Sequence, residues 1–231
     1  MNDQHIVSAF DRDLEGIQAH VMKMGGLVEA AIGEAANAMS TRDEELAEQV
    51  KAADKAIDNL EELINERCAN LIALRAPAAV DLRVVLSVMK IAGNLERIGD
   101  YAKNMAKRTS VMVHMEQVVG ANGSLKRMAH EVQLMLKDVL DAFIQRDVDL
   151  ARDVLGRDES VDQMYNALFR EFLTFMMEDP RYITPCMHLH FMAKNTERMG
   201  DHVTAIAEQV IYLVTGSMPE DARPKATRLD A

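Results

Sequence analysis

The heptapeptide Asn94-Leu-Glu-Arg-Ile-Gly-Asp100 recurs later in the chain as Asn195-Thr-Glu-Arg-Met-Gly-Asp201, with the same residue at five of the seven positions. In each copy a glutamate and an aspartate stand four residues apart. On an α-helix this spacing places both carboxylates on one face, one turn apart. Because like charges at this spacing repel each other, the motif predicts a compensating cation beside each copy.

The repetition extends well beyond the heptapeptide. A shift of 104 residues aligns further acidic positions, pairing Asp43 with Asp147, Asp54 with Asp158, and Asp58 with Asp162. Apolar residues recur in alternating steps of four and three through both halves, as they do in helices that pack in a left-handed bundle. We therefore predict an all-α fold of two pseudo-symmetric three-helix bundles that arose by internal duplication.

Residues that favour caps and turns separate the predicted helices. Asp43 and Asp147 mark the second and fifth helices, and Pro77 ends the second. Ser124 is the predicted N-cap of the fourth helix and Thr184 that of the sixth.

Glycine is common just past helix ends, and Gly216 is therefore the predicted stop of the sixth helix. These boundaries place the first bundle at residues 1–118 and the second at 119–216. Residues 217–231, with two prolines and mixed charge, are predicted to be a disordered tail.

Composition narrows the class of protein. The 231 residues are 48% apolar but only 4% aromatic, with 17 methionines, a mixture typical of helices packed on helices. The formal net charge of −11, without a basic stripe, argues against a nucleic-acid partner. Two cysteines in apolar surroundings predict buried thiols in a reducing compartment. We find neither a signal peptide nor a membrane span in the sequence and expect a cytoplasmic protein.

The alignment predicts that each half carries two acidic pairs on neighbouring helices. The eight candidate metal ligands are Asp54, Asp58, Glu96 and Asp100 in the first half and Asp158, Asp162, Glu197 and Asp201 in the second. Oxygen ligands of this kind suit iron, manganese, magnesium or calcium, and they tolerate zinc. Gly99 and Gly200 remove side-chain bulk beside the pairs and predict the close approach of another group.

Four other motif residues are predicted to lie round the helix from the carboxylates, where they hold the ligands in place or form a partner surface. They are Asn94, Arg97, Asn195 and Arg198. Two alternatives stay open for the acidic pairs. They are solvated helix faces, or they belong to a carboxylate-bridged di-metal enzyme in a helical bundle. The enzyme is disfavoured because glycine, not histidine, stands three residues after Glu96 and Glu197.

With these residues in view, the chain resembles the PhoU-type regulators of phosphate uptake. The resemblance rests on the repeated Asn-x-Glu-Arg-x-Gly-Asp motif, on Leu74-Arg-Ala-Pro77, on Asp81-Leu-Arg83 and on the twofold three-helix plan. It implies a non-enzymatic negative regulator that couples the ATPase subunit of a phosphate ABC transporter to a sensor histidine kinase. It also implies a homodimer, multinuclear iron or zinc clusters in some members, and a place in the cytoplasm or at the inner face of the membrane.

Overall fold

Six long α-helices make up the fold in a computed structural model of the chain, which describes residues 2–118 and 120–219, with side chains from residue 10 onward. A short 3₁₀ turn, Pro180–Tyr182, precedes the sixth helix. The helices are α1 (Asn2–Thr41), α2 (Glu44–Arg75), α3 (Val80–Met112), α4 (Ala121–Gln145), α5 (Val148–Glu178) and α6 (Ile183–Thr215). The described residues contain no strand, and the predicted all-α class is confirmed.

The caps of the second and fifth helices show the duplication at the level of the backbone. Asp43 and Asp147 are N-caps with the same φ of −89° and ψ of 104°. Each carboxylate accepts a backbone N–H in the first turn, from Leu46 and from Leu150 at the third position beyond the cap. An N-cap of this type stabilises a helix by about 1 kcal/mol. The two helix starts predicted from the 104-residue shift are therefore confirmed.

Two other predicted caps are wrong. Ser124 lies inside α4, which begins at Ala121 after Gly120 turns the chain with a φ of +101°. Thr184 lies inside α6, which begins one residue earlier because the 3₁₀ turn leads directly into it. Gly216 does end α6, in the left-handed conformation that favours glycine, as the sequence predicts.

The buried faces follow the predicted spacing. In α1 the side chains of Ile17, Val21, Met24 and Val28 have almost no exposed surface. Full burial of a side chain of this size stabilises the fold by roughly 1.5–3 kcal/mol before entropy is counted. Cys68 and Cys186 are buried free thiols, as predicted.

The two bundles share one continuous apolar core. They meet where α3 packs on α6 and α1 packs on α4. Both pairs run antiparallel, since Lys126 near the start of α4 contacts Asn37 near the end of α1, and Gln133 further along α4 contacts Glu29. Arg83, near the start of α3, lies over Tyr212 near the end of α6, whereas Arg108 near the end of α3 lies over Phe191 near the start of α6. This packing brings the two copies of the repeated motif together in the middle of the molecule.

Three predictions concern the domain boundary, the C-terminal tail and membrane spans. The segment between α3 and α4 contains the predicted boundary at 118, and the common core does not test that boundary. Residues 220–231 of the predicted disordered tail lie outside the described residues. Among the helices that the structure describes, none has the length and apolar character that a membrane span requires.

Candidate functional site

The first acidic face lies where α2 packs against α3. Asp54 of α2 is only 4% exposed, and the ammonium of Lys103 donates a hydrogen bond to its Oδ2. The same ammonium is 3.6 Å from Oδ1 of Asp100, so one lysine of α3 neutralises carboxylates on both helices. Oδ1 of Asp54 is buried and has no hydrogen-bond partner. The face thus has a built-in cation and one unused carboxylate oxygen.

Two carboxylates of this face, those of Asp58 and Glu96, have raised pKa values. Burial raises the pKa of Glu96 above its usual range, and the charges of Asp100 and Asp58 raise it further. Burial also raises the pKa of Asp58, with Asp54 as the next cause. The hydrogen bond that Lys103 donates to Asp54 raises the pKa of Lys103, which keeps the lysine charged. Negative charge is therefore concentrated at this face, and Lys103 together with the exposed Arg97 offsets part of it.

Glycine allows the helices that carry these carboxylates to approach closely. A Cβ at Gly99 would lie 3.0 Å from Cδ1 of Ile57 and 3.7 Å from Oδ1 of Asp54. At Gly200 the equivalent Cβ would lie 3.4 Å from Oδ1 of Asp158. The predicted close approach is confirmed at Gly99, where the approaching group is the acidic helix of the same bundle, whereas at Gly200 an added Cβ would make only an ordinary contact.

The second acidic face lies between α5 and α6 and holds its cation differently. Here Lys194 is 2.6 Å from Oε1 of Glu197, one turn before it on the same helix. Oε2 of Glu197 is buried without a hydrogen-bond partner. Burial raises the pKa of Glu197, Lys194 lowers it, and the charges of Asp201 and Asp162 raise it. The charges of carboxylates on α5 and α6 therefore raise the pKa of Glu197, as those on α2 and α3 raise the pKa values of Asp58 and Glu96.

Asp158 of this face is only 6% exposed, which matches its counterpart Asp54. At the position equivalent to Lys103, however, the second half has Thr204, whose hydroxyl donates to the backbone oxygen of Asp201.

The four other predicted motif residues each have different surroundings. Arg97 is exposed, and its Nε lies 3.4 Å from Oε2 of Glu96, so its side chain reaches the carboxylates. Asn94 joins the two halves, because its Oδ1 is 2.8 Å from Nδ1 of His202. Arg198 lies over the ring of Tyr101 in the other half, and Asn195 lines an open groove between α3 and α6.

A divalent cation can be tested against this arrangement. All eight predicted ligands supply oxygen atoms, and the unpartnered Oδ1 of Asp54 and Oε2 of Glu197 are free acceptors. Within the part of the chain that the structure describes, no three His, Cys, Asp or Glu side chains form a group ready to hold a metal ion. The oxygen ligands are therefore of the type that a hard or borderline cation prefers. In the first face the ammonium of Lys103 now pairs with the carboxylates that would bind that cation.

Sequence reasoning missed the two lysines. Lys103 stands three residues after Asp100, and Lys194 stands three residues before Glu197. Both spacings place the ammonium on the face of the carboxylates. The signal was therefore present, but the two lysines occupy different positions in the repeat, and an alignment of the halves does not pair them.

The fold and the site define a class of protein: a six-helix chain of two related three-helix bundles, each with an acidic face on its second and third helices. A family model described as the PhoU domain matches residues 21–109 and again residues 125–210. The chain belongs to the PhoU family, as the sequence resemblance predicts.

Relatives from bacteria match over nearly the whole length. The chain is 44% identical over 222 residues to the phosphate-specific transport system accessory protein PhoU homolog of Caulobacter vibrioides, with 96% of each chain covered. It is 46% identical to the protein of the same description from Zymomonas mobilis, covering 96% of this chain and 93% of that one. These relatives are accessory proteins of phosphate transport.

A solved structure, the crystal structure of PhoU from Pseudomonas aeruginosa, has the same fold. Its TM-score is 0.87 at 40% identity, with 90% of this chain and 100% of that chain covered. The phosphate transport system regulatory protein PhoU from Streptococcus pneumoniae gives a TM-score of 0.84 at 31% identity, covering 91% and 99%. The agreement extends through both bundles and supports the duplicated architecture.

Proposed function

We propose that this chain is a non-enzymatic negative regulator of phosphate uptake and of phosphate-starvation signalling. In this role it links the ATPase subunit of a phosphate ABC transporter to a sensor histidine kinase. The observation that carries the proposal is the match to accessory proteins of phosphate transport over 96% of the chain. We propose that the protein is a homodimer in the cytoplasm. When it is bound to its partners, it lies at the inner face of the membrane.

The regulatory role is tested by alkaline phosphatase activity in phosphate-rich medium, in cells with and without this gene. A negative regulator predicts high activity after deletion and low activity after complementation. Unchanged phosphatase activity after deletion would mean that the protein has the fold of the family but not the proposed regulatory role. Phosphate uptake measured in the same strains shows whether the effect passes through the transporter.

We also propose that the acidic faces bind iron or zinc, with other divalent cations as competitors. Asp54, Asp58, Glu96 and Asp100 would hold the metal in the first face, and their equivalents would do so in the second. The unpartnered Oδ1 of Asp54 and the raised pKa values of Glu96 and Glu197 support this proposal. A bound cation would neutralise charge that the nearby lysines leave uncancelled.

Elemental analysis of protein purified without chelators tests the metal proposal. The wild type should contain iron or zinc, and the double variant Asp100→Asn with Asp201→Asn should lose most of it. Conversion of Asp147 to Asn, which changes a helix cap outside both faces, is the matched control. Wild-type protein that stays metal-free after exposure to iron and zinc would exclude the site. Oxygen consumption by the iron-loaded protein would instead favour the di-metal enzyme.

A further inference from the structure

An open groove runs along the surface between the second half of α3 and the first half of α6. We call it the α3/α6 groove and define it by Lys107, Arg108 and Val111 of α3 and by Ile183, Met187 and Phe191 of α6. It consists of two adjoining hollows of about 400 and 250 Å³, which share Arg108 as a common wall. The groove lies outside both acidic faces, and the metal proposal leaves it unused.

Large apolar side chains are exposed along this groove. Val111, Ile183 and Phe191 each keep between 44% and 48% of their surface in water, and Met187 keeps 39%. Isolated exposed apolar residues are normal on protein surfaces, but a group on two adjacent helices marks an interaction site. The apolar surface therefore indicates that another molecule covers the groove.

The charge of the groove is opposite to that of the chain. The protein has a net charge of −11, yet Lys107 and Arg108 form no ion pair with any described residue. The guanidinium of Arg108 instead lies 4.4 Å from the centre of the Phe191 ring. Asp179, in the turn before α6, is already held by Arg181 at 2.6 Å. The lysine and the arginine are thus available to carboxylates from outside.

The polar residues beside these cations are neutral. Burial and the charge of Arg108 both lower the pKa of His188, so the imidazole is uncharged at neutral pH. Nδ1 of His188 is buried and has no hydrogen-bond partner. The amides of Asn104 and Asn195 line the same hollow. The positive charge of the groove therefore comes from Lys107 and Arg108.

The other half of the molecule provides an internal comparison. A shift of 101 residues pairs Lys107 with Glu208 and Arg108 with Gln209, and it pairs Phe191 with Lys90. The second copy of the scaffold folds with these different residues at the corresponding surface. The adjacent cations Lys107 and Arg108 are therefore particular to this surface, whereas the apolar character is shared, since Leu86 stands at the position of Met187 and is 44% exposed.

We propose that the α3/α6 groove docks an acidic amphipathic helix of a partner protein; this inference rests on the proposed role as an adaptor. From Ile183 to Asn195 the groove follows α6 for about 18 Å, which is the length of three helical turns. An apolar stripe on the bound helix would pack on Val111, Met187 and Phe191, and its carboxylates would reach Lys107 and Arg108. This mode of recognition joins a groove between two helices to the apolar face of a third.

A designed peptide tests the chemistry of the groove directly. The probe is a fluorescein-labelled 15-residue peptide with leucine at positions i, i+3, i+4 and i+7, glutamate at the positions beside this stripe and alanine elsewhere, so that it can form a helix. Two control peptides carry lysine in place of glutamate, or the same composition in scrambled order. The full-length chain should bind the probe at least tenfold more tightly than either control. Equal binding of the scrambled peptide would overturn the proposal.

Variants locate the binding. Lys107→Glu with Arg108→Gln installs the residues of the other half and should weaken binding of the probe at least tenfold. Lys137→Glu with Arg170→Gln makes the same charge change at exposed positions of α4 and α5 and should leave binding unchanged. Both double variants should retain the helical circular dichroism of the parent. If the two double variants weaken binding equally, the probe responds to the net charge of the protein, and the groove is excluded as its binding site.

The alkaline phosphatase assay separates this proposal from the proposed function. If the wild-type gene represses the reporter and Lys107→Glu with Arg108→Gln does not, the groove serves the adaptor role. If both genes repress equally, the groove proposal fails and the regulatory role stands. If neither the wild type nor the variant represses, the proposed function itself fails. Loss of a dimer in the double variant, seen by light scattering, would assign the groove to a second copy and overturn the partner helix.

Discussion

The two acidic faces have the same carboxylates but differ in where the cation stands. In the first face Lys103 of α3 reaches across to the buried Asp54 of α2. In the second face Lys194 pairs with Glu197 on its own helix, and Thr204 stands at the position of Lys103. The duplicated scaffold has therefore kept the negative charge and moved the positive charge. Two sites that look alike in sequence should differ in stability, metal affinity and response to pH.

Removal of the bridging lysine should have the largest effect. Lys103→Met leaves Asp54 buried without its cation and should lower the free energy of unfolding by about 2 kcal/mol, less than for a fully buried pair because Lys103 is partly exposed. Lys194→Met removes a more exposed pair and should cost less than about 1 kcal/mol. Urea unfolding of metal-free protein measures both. Equal losses would mean that the two lysines are equivalent.

Exchange of the lysine and threonine should reverse the order of metal affinity. Lys103→Thr removes a competing positive charge from the first face and should raise its affinity for Zn²⁺ on the order of tenfold. Thr204→Lys adds such a charge to the second face and should lower its affinity to a similar extent. Calorimetric titration of each variant, with the other face inactivated by Asp→Asn, gives the two constants. Unchanged constants would show that the lysines do not compete with metal.

The two motif glycines should respond differently to alanine. At Gly200 the added Cβ would meet Val161 at 3.4 Å, an ordinary contact, and Gly200→Ala should gain up to about 1 kcal/mol from helix propensity. At Gly99 the contact with Ile57 is 3.0 Å, so the crowding should cancel or exceed that gain. Thermal unfolding of the two variants gives the comparison. A larger gain at Gly99 would contradict the described packing of α2 on α3.

The smallest effect concerns the two glutamates. Folding raises the pKa of Glu197 and of Glu96, so the stability that each contributes in its protonated form is lost as pH rises through the folded-state pKa. Glu197→Gln should therefore gain less than about 1 kcal/mol relative to the wild type at neutral pH. The gain should disappear below the pKa of the unfolded chain.

Glu96→Gln should show a smaller gain, because the side chain of Glu96 is 25% exposed and that of Glu197 is 15% exposed. Urea unfolding at several pH values checks both variants, without metal. A gain that grows as the pH falls would show that burial does not oppose ionisation here.

The sequence predicts the helices, the duplication and the acidic pairs because these depend on local spacing. Phe10, Leu46 and Leu125 begin three-four patterns, and Asp147 caps a helix by a contact within its own turn. Ser124 and Thr184 failed as caps because backbone turns just before them start the helices earlier. The contact between Asn94 and His202 could not be predicted, since it depends on how α3 meets α6 across the molecule.

Where the two halves pack antiparallel on each other, equivalent residues of α1 and α4 are in contact. Gln133 donates a hydrogen bond to the backbone oxygen of Glu29, and these residues are equivalent under the 104-residue shift. In a true dimer, equivalent residues meet each other on the twofold axis. The interface between the two halves thus has the pseudo-twofold geometry of a homodimer of single three-helix subunits. Because the two halves occupy one chain, each can carry its own residues at equivalent positions, as Lys103 and Thr204 do.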